Sequence, residues 1–241
     1  MSQGTLGWSV GNWVEPIRPT GAPLCGAHVE LHLLTRKDHA ADLFAAFNQA
    51  DPLWRYLPYG PFASAAAYGD WIDKNTQSSD PFFYAIIDKT SQKAVGVASY
   101  LRINPSAGSV EVGHICLSPQ LQKTKAASEA MFLMMQWAFD AGYRRYEWKC
   151  DALNLPSRQA AARLGLSYEG VFRQMSIVKG RNRDTAWFAA VDGEWPKLRD
   201  AFNAWLADKN FTPTGQQVAS LSGLMAPLIS MNDPLFYFSK Q

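Results

Sequence analysis

The sequence predicts a mixed α/β domain with a mostly antiparallel central sheet and flanking helices, and three observations carry that expectation. Three strand-like stretches, 82–88, 94–104 and 109–117, follow one another across turns too short for crossovers, Thr90 to Lys93 and Pro105 to Gly108, so they should pair antiparallel. The third stretch feeds an Ala-rich helical pattern and then strand 143–150, a right-handed crossover whose two strands run parallel or splay apart. Hydrophobic residues make up 47% and aromatics 13% of 241 residues, which fills a sizeable core and excludes disorder as the overall state.

Taken in order, residues 1–27 read as an extended arm, because Pro16, Pro19, Pro23 and several glycines break any period. "HVELHLL" (28–34) alternates polar and apolar residues as a strand does. Residues 36–50 have helical spacing through Ala40, Leu43, Phe44 and Phe47, and a second helix follows near 63–76. Between them "DPLWRYLPYGPF" (51–62) is a loop rich in aromatics and prolines. The helix at about 124–140 shows Ala127, Met131, Met134 and Ala138 as one apolar stripe, with Gly142 as its stop. In "YRRYEWKC", Tyr146, Trp148 and Cys150 alternate with Arg145, Glu147 and Lys149. A helix at 155–164 ends at Gly165, strands fit 167–178 and 184–191, and a helix near 194–207 precedes a tail to Gln241. The economical division is an arm (1–27), one α/β domain (28–207) and a tail (208–241).

Composition narrows the function classes. A formal charge of only +2 does not suggest nucleic acid as a partner. Cys25, Cys116 and Cys150 are odd in number and form no CxxC or Cys/His cluster, so no metal site and no disulfide framework is expected. No apolar run reaches the roughly 18 residues of a membrane helix, and "MSQGTLGWSV" lacks the order of a signal peptide. The expectation is a cytoplasmic protein with no membrane partner.

The junction after strand 109–117 is the first candidate site. The opening N–H groups of a helix have no intrahelical partners and carry the positive end of its dipole, so they suit a pyrophosphate. Gln122, Lys123, Thr124 and Lys125 stand there, where a phosphate cradle usually carries glycines; a solvated turn would look similar. The sequence as a whole resembles the GNAT superfamily of acyl-CoA-dependent N-acyltransferases, specifically its RimJ/RimL-like branch of ribosomal-protein N-terminal acetyltransferases. The resemblance covers about 28–191. "QKTKAA" (Gln122 to Ala127) matches the pyrophosphate motif Gln/Arg-x-x-Gly-x-Gly/Ala, with Lys125 in place of the first glycine, and "SEA" (128–130) is similar to the branch's Thr-Glu-Ala. Asn154, Ser157, Gly165 and Leu166 match a second motif.

The resemblance implies a strand pair, 109–117 and 143–150, splayed by a bulge so that pantetheine pairs with exposed backbone. It implies acetyl-CoA held by Ile115, Cys116, Leu117, Gln122, Lys123, Thr124, Lys125, Ala126, Ala127, Asn154 and Ser157. Ser157 would hydrogen-bond the leaving sulfur, since Ala161 stands where many members carry a tyrosine. Glu111 lies at the offset of a catalytic glutamate in the histone acetyltransferase branch; alternation places it with Gly113, Ile115 and Leu117, where burial would make it a base, unless it pairs with an arginine. His114, on the opposite alternation unless a bulge intervenes, is the reserve base or a packing residue. Cys116 and Cys150 read as core thiols.

On the acceptor side Trp54, Tyr56, Tyr59 and Trp148 are the candidate walls, with packed lid residues as the plainer alternative. Arg181, Arg183 and Asp184 could be a salt-bridged turn. The absence of an acidic cluster argues against a polyamine. The leading reading is transfer of an acetyl group from acetyl-CoA to a primary amine by direct attack in a ternary complex, the acceptor being a peptide or protein α-amine or a small molecule. The competing readings are a non-catalytic CoA-binding module with a degenerate loop, and an interaction protein using its flanks. Both flanks are candidates for homodimer contacts or for covering the groove.

Overall fold

A computed structural model describes residues 6–47 and 51–236. Its centre is an eight-stranded sheet in the order β1-β2-β3-β4-β5-β6-β8-β7. In chain order the strands are β1 (Leu24–Cys25), β2 (Val29–Leu33), β3 (Phe82–Asp88), β4 (Lys93–Asn104), β5 (Ser109–Leu117), β6 (Arg145–Asp151), β7 (Ser167–Val178) and β8 (Arg181–Val191). Every pair is antiparallel except β5 with β6, which is parallel. The expected mixed sheet is therefore the one observed, and the short β1 inside the arm is the strand that its prolines concealed.

The helices cover both faces. On one side lie α1 (Arg36–Phe47) and α2 (Ala65–Asn75), whose Leu43, Tyr68 and Ile72 pack on Phe83, Ala85 and Val97. On the other lie α3 (Lys125–Asp140), α4 (Leu155–Arg163), α5 (Trp195–Leu206) and the short α6 (Leu221–Met225), around Tyr100, Val110, Val112, Trp148 and Phe188. The α3 stripe read from the sequence is buried as expected, since Ala127, Met131, Met134 and Ala138 all lie in this core. The last positions expected in the first helix, 48–50, lie outside the described residues. Among the described residues no helix is long and apolar enough to cross a membrane.

Two buried carboxylates fasten the flanks to the sheet. Glu129, in the middle of α3, accepts the backbone N–H groups of Ala27, His28 and Val29 at 2.9, 2.6 and 2.9 Å. It thereby fixes the start of β2 against the helix. Asp233, near the end of the chain, makes a two-pronged pair with Arg158 of α4, at 2.6 Å on each oxygen. Arg158 also donates to the Ala152 carbonyl at 2.9 Å. The tail thus grips α4 from outside, while Leu221 and Met225 enter the main core. The arm docks too: the Trp13 indole donates to the Gly142 carbonyl, and its ring occupies the space a side chain at Gly108 would need.

Breaking a buried pair leaves an uncompensated charge. Asp233→Ala should therefore destabilise the protein by about 3–5 kcal/mol, read as a lower urea midpoint in tryptophan fluorescence. An unchanged midpoint would contradict the grip of the tail on α4.

Candidate active site

The site begins where two strands part. β5 and β6 pair in register from Ser109–Arg145 to Val112–Trp148, and no further. Beyond that point β6 stays with β8 as far as Asp151, and β5 stays with β4 as far as Leu117. The cause is local. Ser99 pairs with Gly113 and Val97 with Cys116, so β5 carries one residue more than β4 there. That residue is His114, in the left-handed region at φ +52°. Such a bulge bends its strand and leaves backbone unpaired. From Gly113 to Leu117 the β6-facing edge of β5 has no strand partner.

The bulge also changes the faces. The sequence placed Glu111 with Ile115 and Leu117; after the extra residue, Ile115 and Leu117 pack on the α3 side, and Cys116 joins the α1–α2 core. His114 moves to the face of Glu111, against Phe83 and Tyr59.

At the end of β5 the chain turns into α3. Thr124 caps the helix, accepting the Ala127 N–H at 3.1 Å and donating to the Leu121 carbonyl at 2.6 Å. The N–H groups of Lys125 and Ala126 begin the helix and have no intrahelical acceptor. Lys123 takes the left-handed turn, φ +61°, without a glycine. Gln122 folds back to donate to the Leu117 carbonyl at 2.9 Å. The Lys125 ammonium rests 3.1 Å from Asp208 and 4.7 Å above the Phe211 ring. Helix N–H groups, a lysine and an open strand edge form a donor set that fits a pyrophosphate continued by an amide-bearing arm.

Across the opening, Asn154 caps α4 by accepting the Ser157 N–H at 3.3 Å. The Ser157 hydroxyl oxygen accepts the Trp148 indole N–H at 3.0 Å. This fixes the oxygen as an acceptor, while its O–H remains a donor beside the Cys150 thiol. Trp148, grouped from the sequence with the acceptor walls, is buried on the α3 side and underpins Ser157. Burial pushes the Cys150 thiol up to about 11 and Cys116 up to about 12, so both remain neutral core thiols.

The other face carries the charges. Glu111 is 3% exposed, and one of its oxygens meets Arg102 at 2.7 Å and Lys149 at 2.9 Å. Lys149 also meets Glu147 at 2.7 Å and lies 3.7 Å from the centre of the Trp187 ring. Of the two readings of Glu111, pairing is the arrangement present. Among the described residues His114 has no carboxylate partner; burial, then the charges of Arg102 and Arg183, push its pKa down to about 4. Its Nδ1 lies 3.2 Å from the Tyr59 hydroxyl, and the rings stack at 5.6 Å.

The aromatic loop covers this face. Trp54 is buried among Phe47, Phe62 and Tyr68, as a packed lid residue rather than a wall. Tyr59 reaches His114, and Tyr56 donates to the Leu153 carbonyl at 3.2 Å, bridging to the loop before Asn154. Lys179, unmarked in the sequence reading, donates to the carbonyls of Trp54 and Gly60 at 2.7 and 2.9 Å. The alternative of a salt-bridged turn at Arg181, Arg183 and Asp184 is not the arrangement present: Asp184 accepts from the Gln174 N–H and the Asn182 amide, and Arg183 has no ion pair among the described residues.

This fold and site define an acyl-CoA-type transferase, and the comparisons agree. Residues 28–167 match the family described as acetyltransferase (GNAT) domain. A GCN5-related N-acetyltransferase from Brucella melitensis is 44% identical, over 89% of this chain and 99% of that one, with a TM-score of 0.87. A probable acetyltransferase of the GNAT family from Chromobacterium violaceum ATCC 12472 is 38% identical, over 80% and 98%, with a TM-score of 0.76. RimL, a ribosomal L7/L12 α-N-protein acetyltransferase, shares the fold at 20% identity over 70% and 93%, with a TM-score of 0.61. No functionally curated protein matches. The chain belongs to the GNAT acetyltransferase family, enzymes whose acyl donor is acetyl-CoA.

His114 should leave a signature in stability. Its pKa is about 4 when folded and 6.5 ordinarily, so between these values only the unfolded chain holds the proton. The contribution is complete above pH 6.5 and is lost as pH falls toward 4. His114→Gln should lose up to about 3 kcal/mol less than the parent across that window, measured by urea unfolding at stepped pH. Equal slopes would contradict the buried, neutral imidazole.

Proposed function

We propose that the protein transfers the acetyl group of acetyl-CoA to a primary amine by direct attack in a ternary complex. The observation that carries this reading is the opening between β5 and β6, with Ser157 on one side and His114 on the other. Acetyl-CoA supplies the activated acyl carbon as a thioester. In this reading the free edge of β5, residues 115–117, holds the pantetheine amides and a backbone N–H polarises the carbonyl. The N–H groups of 125 and 126, with Lys125 and Thr124, take the pyrophosphate, and Asn154 steadies the arm.

The amine enters from the α1–α2 face, past Tyr59. Its nitrogen lone pair forms the new C–N bond, the C–S bond breaks, and the amine gives up a proton. His114 receives that proton, and Ser157 donates a hydrogen bond to the departing sulfur. His114 is favoured over Glu111 because its ring is neutral and carries no ion pair, whereas Glu111 is bound by two cations. Glu111 then serves to hold β5 to β6. The RimJ/RimL-like branch remains a proposal resting on "QKTKAASEA" and the Asn154–Ser157 motif, with a peptide α-amine or a small molecule as acceptor. A cytoplasmic location fits three free thiols, Cys25, Cys116 and Cys150.

Calorimetric titration of acetyl-CoA, followed by thiol-release assays with an amine panel, tests the reading. Lys125→Glu should weaken acetyl-CoA binding roughly tenfold or more, as expected for reversing a phosphate-side charge. His114→Ala should lower kcat by about 100- to 10,000-fold, with the KM for acetyl-CoA little changed. If Glu111→Gln alone abolished turnover in a folded protein while His114→Ala remained active, the roles would be reversed. No acetyl-CoA binding would overturn the reading altogether.

A further inference from the structure

The amine-side face carries a basic group that its carboxylates leave unpaired among the described residues. Arg102, Lys149 and Arg145 satisfy Glu111, Glu147 and Glu169. Arg183 is left over. It stands on β8 two residues before Thr185, the partner of Asp151 at the end of β6, so it shares a face with Trp187 and with Lys149 opposite it. Among the described residues the Arg183 side chain makes no hydrogen bond or ion pair, and its Nε is buried without an acceptor. The neighbouring acids are used elsewhere: Asp151 accepts the Leu153 N–H, and Asp184 accepts the Gln174 N–H. On that face Lys149 pairs with Glu111 of β5, so Arg183 stands just beyond the end of β6 on the side of the opening where His114 lies.

A partly buried guanidinium with an unbonded N–H is unfavourable until an anion completes it, and its fork suits a carboxylate. We propose that Arg183 recognises a carboxylate on the acceptor, so that the substrate is a primary amine bearing an acid close to its nucleophilic nitrogen. This rests on the acetyltransferase reading above and narrows its acceptor class. The acid is either the α-carboxylate of a free amino acid or the side chain of an N-terminal acidic residue. Polyamines, which bring further positive charge, are disfavoured. Holding an anion at Arg183 also offsets one of the two charges that oppose protonation of His114, so acceptor binding strengthens the group that must take the proton.

The test uses two matched pairs as acceptors at saturating acetyl-CoA: phenylalanine against phenylalaninamide, and Glu-Ala-amide against Gln-Ala-amide. The acid-bearing member of at least one pair should be preferred roughly 10- to 100-fold in kcat/KM, the range of a hydrogen-bonded charge pair. Arg183→Gln should abolish the preference without moving the KM for acetyl-CoA, and Arg183→Lys should restore part of it. The first pair reports a main-chain carboxylate and the second a side-chain one. Equal use of both members, or a preference that survives Arg183→Gln, overturns the proposal. So does intact acetyl-CoA binding with no turnover of either acid-bearing acceptor. Loss of acetyl-CoA binding in the parent protein would instead remove the acetyltransferase reading itself.

Discussion

The parallel pairing of β5 with β6 lasts only from Ser109–Arg145 to Val112–Trp148, and the rest of the site depends on where it stops. Had the two strands zipped to their ends, the edge of Gly113 to Leu117 would be spent on a ladder. One inserted residue, His114, prevents this by bulging β5 just beyond the paired stretch. The same insertion puts an imidazole on the face where Glu111 and Glu147 sit, and turns Ile115 and Leu117 toward α3. Backbone geometry and candidate chemistry therefore share one cause.

An opening in a sheet needs its two lips held, and charge does this on one face. Glu111 on β5 and Glu147 on β6 are neighbours in register and would repel one another alone. Lys149 bridges them, nearly buried and stacked on Trp187, while Arg102 and Arg145 flank the pair. Removing Lys149 would leave the two carboxylates facing each other in a poorly solvated place. On the opposite face the β6 lip is held by Trp148 and Ser157, and beyond them by the Arg158–Asp233 pair that anchors α4. The tail is thus continuous with the scaffold of Asn154 and Ser157.

Much of this was legible in the sequence. Alternation and turn residues located β2 to β8 and the order of α1 to α5, because burying one face imposes a period on each element, whereas the short α6 lay unread in the tail. The parallel crossover followed from the length between 109–117 and 143–150. The resemblance implied a bulge, but its place was not readable, because Cys116 and Ile115 are both apolar and either register buries an acceptable side chain. Glu111 was singled out as a base, but its partners lie on other strands, and strand pairing is not written in local spacing. Lys149, which alternates with the apolar positions of its strand, and Arg183, read as part of a possible salt-bridged turn, carried no site role for the same reason. Asp233 sits in "MNDPLF", which reads as an ordinary turn, and only the tertiary fold brings it to Arg158. The missing glycine of "QKTKAA" mattered less than its absence suggests, since Lys123 adopts the left-handed turn and Thr124 supplies the cap.

The central claim is that the unpaired edge of β5 and the start of α3 hold the acyl donor. Amide hydrogen exchange with and without saturating acetyl-CoA tests this most directly, because it reports on the backbone groups themselves. The account predicts slowed exchange in peptides covering 113–117 and 124–127, with little change along β2 and β3. Binding that protects other segments and leaves 113–117 exchanging as before would contradict it.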